Sequence, residues 1–286
     1  MQLRRLVGVG AGIAALAVAG CVPTAPPPGG PNGCGKPASP VYIQQRKLLS
    51  GGVVRSFLLT IPDNYDRSVP SPLVLNFHGH GSNAIQQAAY TQIDAKGKAR
   101  GFIVATPDGI ANQFDFTEPS VDFTFTEELV RYLDSILCIS PTDRFSTGMS
   151  NGGAMSGAVA CLPALNLKAI AGVTAMLPAC ANGTKMPVLY FHGNADPIVG
   201  YAVAGPVIAS WATRNSCSAT PIETRIEPDI QKRTYINCAP GLSATLYTVE
   251  GGGHTWPDGI IDLPQFGATT RTINASNLVL DFFEAQ

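Results

Sequence analysis

The sequence predicts an α/β domain: a mostly parallel central sheet with helices on both faces. Short apolar, β-rich runs alternate with stretches of helical spacing along the chain, the pattern of strands joined by crossover helices. Apolar residues make up 45% of 286 residues, enough to build a sizeable core. The chemically notable residues sit just past the apolar runs, where sites form in sheets of this kind.

The elements follow in order. Residues 56–61 and 73–78 read as strands, 83–100 as a helix and 102–106 as a strand. Residues 121–139 have helical spacing through Leu129, Tyr132, Leu133 and Leu137. A short strand at 144–148 precedes a helix at 152–162, and strands at 170–176 and 188–192 precede a helix at 207–214. A hairpin is expected between residues 223 and 249, and a helix at 274–284 closes the chain. No internal repeat appears.

The first residues do not belong to the domain. Arg4 and Arg5 precede an apolar stretch from Leu6 to Ala19, the pattern of a secretory signal peptide and too short for a comfortable membrane span. It ends in Val18-Ala19-Gly20-Cys21, which resembles the bacterial lipobox. Three segments follow: a signal peptide at 1–20, a lipid-anchored Pro/Gly tether at 21–33 with Cys21 as the lipidated residue, and a catalytic domain at 34–286. An ordinary signal peptide with a chance cysteine is the alternative. Without the leader, 17 basic residues face 20 acidic ones. A nucleic-acid binder would be expected to show a basic surplus, and none is present.

If Cys21 carries lipid, six cysteines remain, an even count that in an exported chain reads as three disulfides. Sequence alone does not choose among the pairings. Cys217–Cys238 and Cys161–Cys180 are the economical local pairs, which leaves Cys34–Cys138. A zinc site is the competing reading, disfavoured because no Cys-x-x-Cys pair exists and the four histidines are not spaced as ligands.

The central motif is Gly148-Met149-Ser150-Asn151-Gly152-Gly153, between an expected strand and an expected helix. Glycines let the chain turn sharply there and leave the Ser150 hydroxyl standing above the sheet. A serine nucleophile needs a base, and the base needs an acid to fix its tautomer. His254 lies in the flexible run Gly251-Gly252-Gly253-His254, which can deliver an imidazole to a distant serine. His78 and His192 end apolar strands and read instead as buried histidines satisfied by backbone. Asp196 follows a strand end, and the order Ser150, Asp196, His254 is that of the α/β-hydrolases. Asp108 and Asp258 are alternative acids. Two backbone N–H groups must meet the oxyanion. Asn151 supplies one, and His80, in the loop after an early strand, supplies the other. Phe114 and Phe116 border the expected cleft, and Trp256 lies two residues past the base. All three are expected as pocket walls, with packing of the loop as the alternative.

Together the Gly148–Met155 motif, His192-Gly193-Asn194-Ala195-Asp196 and Gly253-His254-Thr255-Trp256-Pro257 resemble the feruloyl esterase and polyhydroxybutyrate depolymerase group. Gly33-Cys34-Gly35-Lys36 and Ile61-Pro62-Asp63-Asn64-Tyr65-Asp66 extend the likeness to the start of the domain. The resemblance implies an α/β-hydrolase fold and a secreted serine esterase, with Ser150, Asp196 and His254 as triad and the His80 and Asn151 amides as oxyanion hole. His80 departs from the cysteine or other small residue common in that group, which puts the substrate in question. No metal or organic cofactor is implied. The expected partners are a small-molecule or polysaccharide-linked ester and, through the lipid, a membrane, and a monomer is expected. Hydroxycinnamoyl or short-chain esters are the expected substrates. A polyester depolymerase and an envelope acyltransferase are the enzymatic alternatives, and a non-catalytic surface lipoprotein is the alternative outside enzymes.

Overall fold

A computed structural model describes residues 22–28, 32–36, 43–117, 119–178 and 180–286. The signal segment and Cys21 lie outside the described residues.

Among the described residues, ten strands form one sheet in the order β1-β2-β4-β3-β5-β6-β7-β10-β9-β8. The central six, β4 (Ile103–Pro107), β3 (Ser71–Phe77), β5 (Ile139–Met149), β6 (Ala169–Val173), β7 (Val188–Gly193) and β10 (Ala244–Val249), are parallel. Antiparallel strands extend both margins: β2 (Val53–Thr60) and β1 (Ile43–Ser50) on one side, β9 (Ile230–Tyr235) and β8 (Ile222–Glu227) on the other.

The strands are central because both their faces are apolar. On β3, Leu73, Leu75 and Phe77 enter one core cluster while Val74 enters the opposite one, the period-two split that a strand imposes. On β7, Val188 and Tyr190 face one way, and Leu189 and Phe191 the other. Helices α3 (Val121–Ile136), α4 (Asn151–Val159) and α5 (Ala204–Arg214) cover the first face. Helices α1 (Ala84–Thr91), α2 (Ile93–Ala99) and α6 (Ala275–Glu284) cover the second.

Two expected helices are corrected. The helix at 83–100 is broken at Gln92, whose left-handed φ of 59° turns the chain between α1 and α2. The helix at 121–139 stops at Ile136, and Ile139 already begins β5. Strand β1 has no counterpart in the sequence reading.

Disulfides join Cys34 to Cys138, Cys161 to Cys180 and Cys217 to Cys238. The first closes 104 residues and fastens the N-terminal segment to the start of β5. Within residues 22–28, Pro23, Thr24 and Pro26 touch the domain. The Leu49 N–H donates to Pro23 O at 2.8 Å, Thr24 bridges to Leu49, and Arg131 Nε donates to Pro26 O at 3.3 Å.

Candidate active site

Ser150 closes β5 and starts α4 with φ 55° and ψ −121°, a conformation costly for any residue with a Cβ. Its N–H donates to Val173 O at 2.9 Å, which ties the turn to the neighbouring strand. The turn also needs glycine at 152, where a Cβ would lie 2.2 Å from Phe77 O. Strand and helix therefore approach more closely than any side chain allows, and Ser150 is pushed up, half-buried, at the sheet's C-terminal edge.

Asp196 and His254 reach the same edge from β7 and β10. His254 Nδ1 lies 2.8 Å from Asp196 Oδ2, both side chains being buried. Asp196 Oδ1 accepts the N–H groups of Ile198 and Val199, each at 2.8 Å. Burial pushes the Asp196 carboxyl up, but the hydrogen bonds from His254, Ile198 and Val199 outweigh it and hold the group below the usual carboxylate range. An ionised carboxylate only accepts, so the ring proton sits on Nδ1. In the neutral ring that tautomer leaves the Nε2 lone pair bare, as a general base requires. No hydrogen bond joins His254 to the Ser150 hydroxyl among the described residues. The β10 loop is seated by Ala195 N–H on Gly252 O (2.9 Å) and His254 N–H on Phe266 O (2.6 Å).

His78 and the alternative acids are engaged elsewhere. His78 is buried, with Nδ1 on Gly79 O at 2.8 Å and Nε2 accepting the Gly109 N–H at 3.0 Å. Burial lowers its pKa and keeps it neutral. Asp108 takes the Ala84 N–H at 2.7 Å and the Ser56 hydroxyl at 2.6 Å. Asp258 accepts from Asn274 at 2.7 Å and pairs with Arg271. Neither acid contacts His254.

The loop carrying His80 borders Ser150, since a Cβ on Gly79 would lie 3.6 Å from Ser150 Cβ. The loop is fixed by Gly81 N–H on Asn112 O at 2.8 Å, and the His80 side chain is exposed. Asn151 opens α4, where the first-turn N–H groups lack helical acceptors.

A cleft of about 520 Å³ opens beside Asn151, lined by Ile110, Gln113, Phe114, Phe116, Val121 and Asp122 among others. Phe114 forms its floor rather than a free stacking face. Its ring is buried, edge-on to Phe77 at 5.3 Å and tilted against His78 at 4.6 Å. Phe116 is half-buried against the core. Trp256 is not a pocket wall. It is fully buried, with its indole N–H donating to Ser276 Oγ at 2.9 Å and its backbone N–H to Tyr90 at 3.1 Å. The sequence reading also missed the side chain of Asn151. It accepts the Phe114 N–H at 2.7 Å and donates to Phe114 O at 2.9 Å. No sequence signal links residues 37 positions apart in this way.

No family model matches the chain. It is 29% identical to Feruloyl esterase C of Emericella nidulans over 200 residues, 66% of this chain and 71% of that one. It is 27% identical to Feruloyl esterase D of Neurospora crassa over 241 residues, covering 78% and 81%. Among solved structures, the acetyl xylan esterase from Aspergillus awamori superposes with a TM-score of 0.59 at 15% identity, over 74% of this chain and 94% of that one. The feruloyl esterase module from Clostridium thermocellum complexed with sinapinate gives 0.54 at 12%, over 77% and 85%. The sheet order and these neighbours define an α/β-hydrolase fold. Within it, the chain is similar to the feruloyl esterases and is a carboxylic ester hydrolase.

Proposed function

We propose that the chain is an exported serine esterase that cleaves hydroxycinnamoyl or short-chain acyl esters through an acyl-enzyme. The observation that carries this reading is the buried Asp196–His254 hydrogen bond at 2.8 Å, set at the same sheet edge as a serine held at φ 55°.

In the proposed reaction, His254 Nε2 takes the Ser150 proton as Oγ attacks the ester carbonyl. The carbonyl π electrons move to oxygen, which the His80 and Asn151 N–H groups receive. As the tetrahedral intermediate collapses, the bond to the alcohol breaks and His254 returns the proton to that alcohol. Water repeats the cycle on the acyl-enzyme, releasing the acid and Ser150. Asp196 keeps its charge throughout and stabilises the imidazolium.

The cleft beside Asn151 supports the substrate class. Its lining mixes Ile110, Phe114, Phe116 and Val121 with the polar Gln113, Asp115, Asp122 and Asn151, which suits a planar ring with polar substituents or a small acyl group better than a long alkyl chain. The three disulfides suit an oxidising compartment outside the cytoplasm. Anchoring through Cys21 belongs to the same proposal, and a Cys21→Ala chain should then lose membrane partitioning. Methyl ferulate and short- and long-chain nitrophenyl esters, compared by kcat/KM, test the substrate. A clear preference for the long chain would overturn the substrate class and leave the serine mechanism standing.

A further inference from the structure

One buried polar chain runs beneath the candidate site and links its two halves. Tyr190 and His192 lie two residues apart on β7, so their side chains leave the same face of the sheet. Both are fully buried. His192 Nε2 lies 2.8 Å from Val199 O and 3.5 Å from Asp196 Oδ2. Val199 O can only accept, so Nε2 carries the ring proton. Burial lowers the His192 pKa, so the ring holds one proton and Nδ1 is an acceptor. The Tyr190 hydroxyl sits between that Nδ1 and Ala175 O, two acceptors to either of which it can donate its one proton. Burial raises the Tyr190 pKa, which keeps the phenol protonated.

Each end of this chain touches the catalytic geometry. At one end, Val199 is held through both of its backbone polar groups. Its C=O takes the His192 proton, and its N–H donates to Asp196 Oδ1 at 2.8 Å. These two groups belong to successive peptides joined at the Val199 Cα, so the imidazole anchors the residue whose N–H meets Asp196. At the other end, Ala175 packs where α4 begins: a Cβ on Gly153 would stand 2.5 Å from Ala175 Cβ. The preceding residue, Thr174, has φ 47° and donates its N–H to Phe191 O at 2.9 Å.

The geometry points to His192, assisted by Tyr190, as a positioning residue that sets the Asp196 carboxylate and keeps the acid loop in register with the Ser150 turn. This rests on the triad reading above. His192 transfers no proton in the reaction. Its effect is on how well Asp196 aligns His254, which is felt in kcat and not in the cleft that binds the acyl group. An isosteric replacement that keeps a donor at the Nε2 position should preserve the effect, because what matters is the hydrogen bond to Val199 O. Glutamine provides such a donor and phenylalanine does not.

The test compares His192→Phe, His192→Gln and Tyr190→Phe with the wild-type chain on nitrophenyl acetate. Rates are divided by the fraction of sites that a fluorophosphonate can label, so that misfolded protein does not count. His192→Phe should lower kcat about 10- to 100-fold with KM nearly unchanged, the scale of a displaced catalytic group. His192→Gln should recover most of that loss, and Tyr190→Phe should lose less than His192→Phe. Wild-type kcat per labelled site in His192→Phe would overturn the assignment, as would equal losses in the Phe and Gln variants. If His192→Phe does not fold, Tyr190→Phe decides: a fall in kcat at constant KM supports the positioning role, and wild-type kinetics reject it. Asp196→Asn separates this from the triad reading. Full activity in that variant would mean that the triad is wrong. An inactive Asp196→Asn beside an unaffected His192→Phe would mean that only the positioning role is wrong.

Discussion

Asn151 and Phe114 exchange two hydrogen bonds, so the residue after Ser150 holds both polar groups of the cleft-floor main chain. The same loop is held farther along by Asp115 N–H on Asp122 Oδ2 at 2.8 Å. Asp122 is in turn paired with the buried Arg55. The cleft wall is therefore strung between the Ser150 turn and β2. Asn151→Ala removes one of the two attachments. Its kcat/KM should fall for both ester classes, and by about tenfold more for methyl ferulate than for nitrophenyl acetate, the scale of a perturbed pocket contact. Equal losses would mean that the second attachment alone sets the wall.

Gly193 is the point where the segments carrying Asp196 and His254 touch. A Cβ there would lie 2.2 Å from Gly252 O and 2.6 Å from Gly253 O. Backbone on both sides leaves no flexible group to yield. Gly193→Ala should part the β7 and β10 segments and abolish activity, either by blocking folding or by separating Asp196 from His254. Activity within a few-fold of wild type, measured alongside circular dichroism, would contradict the close approach.

How much of this was legible depended on where the physical signal lay. Strands β3, β4 and β7 are buried on both faces and read as largely apolar runs, interrupted by Asn76, Thr106 and His192 near their C-terminal ends. Strand β1, Ile-Gln-Gln-Arg-Lys-Leu-Leu-Ser, is an edge strand whose outer half is polar, and it carries no such run. Ser150, with glycines two residues to either side, and Asp196 and His254 beyond strand ends stand out in the sequence because backbone geometry restricts what stands there. Trp256 was misread because its neighbour His254 says nothing about which way an adjacent ring points, and this one points into the core. Gln92 gave no warning of a helix break, since glutamine is an ordinary helix former. The Tyr190–His192 pair had the right strand spacing, but its partners Ala175 and Val199 come from two other segments.

The Cys34–Cys138 bond spans 104 residues and the Cys217–Cys238 bond spans 21. Loop-closure entropy assigns roughly 4–5 kcal/mol to the longer loop and about 3 kcal/mol to the shorter. The paired serine variant at 34 and 138 should therefore lose more stability in urea than the pair at 217 and 238. Thiol titration of denatured, unreduced wild type should find none of these six cysteines free. A free thiol at any of the six positions, located by alkylation and peptide mapping, would contradict the pairing.

Asp94 is buried among donors from Asn76 (3.0 Å), Thr60 (3.2 Å) and Thr106 (3.0 Å). Burial still pushes its carboxyl up from 3.8 to about 6. The unfolded chain releases this proton near pH 4 and the folded chain near pH 6. Between these values the folded state binds more protons, so stability from this group falls as pH rises, by at most on the order of 3 kcal/mol. Urea unfolding at pH 4.5 and 7.5 should show that component in wild type and not in Asp94→Asn. The same pH slope in both chains would mean that Asp94 ionises normally in the fold.

The proposed reaction stands on Ser150 as the nucleophile. Labelling the folded chain with a fluorophosphonate and sequencing the modified peptide by mass spectrometry tests that directly. One adduct should appear, on Ser150. Ester hydrolysis should stop in proportion to labelling, and Ser150→Ala should neither label nor turn over methyl ferulate or nitrophenyl acetate. An adduct on another residue, or a Ser150→Ala chain that keeps its esterase activity, would contradict the account.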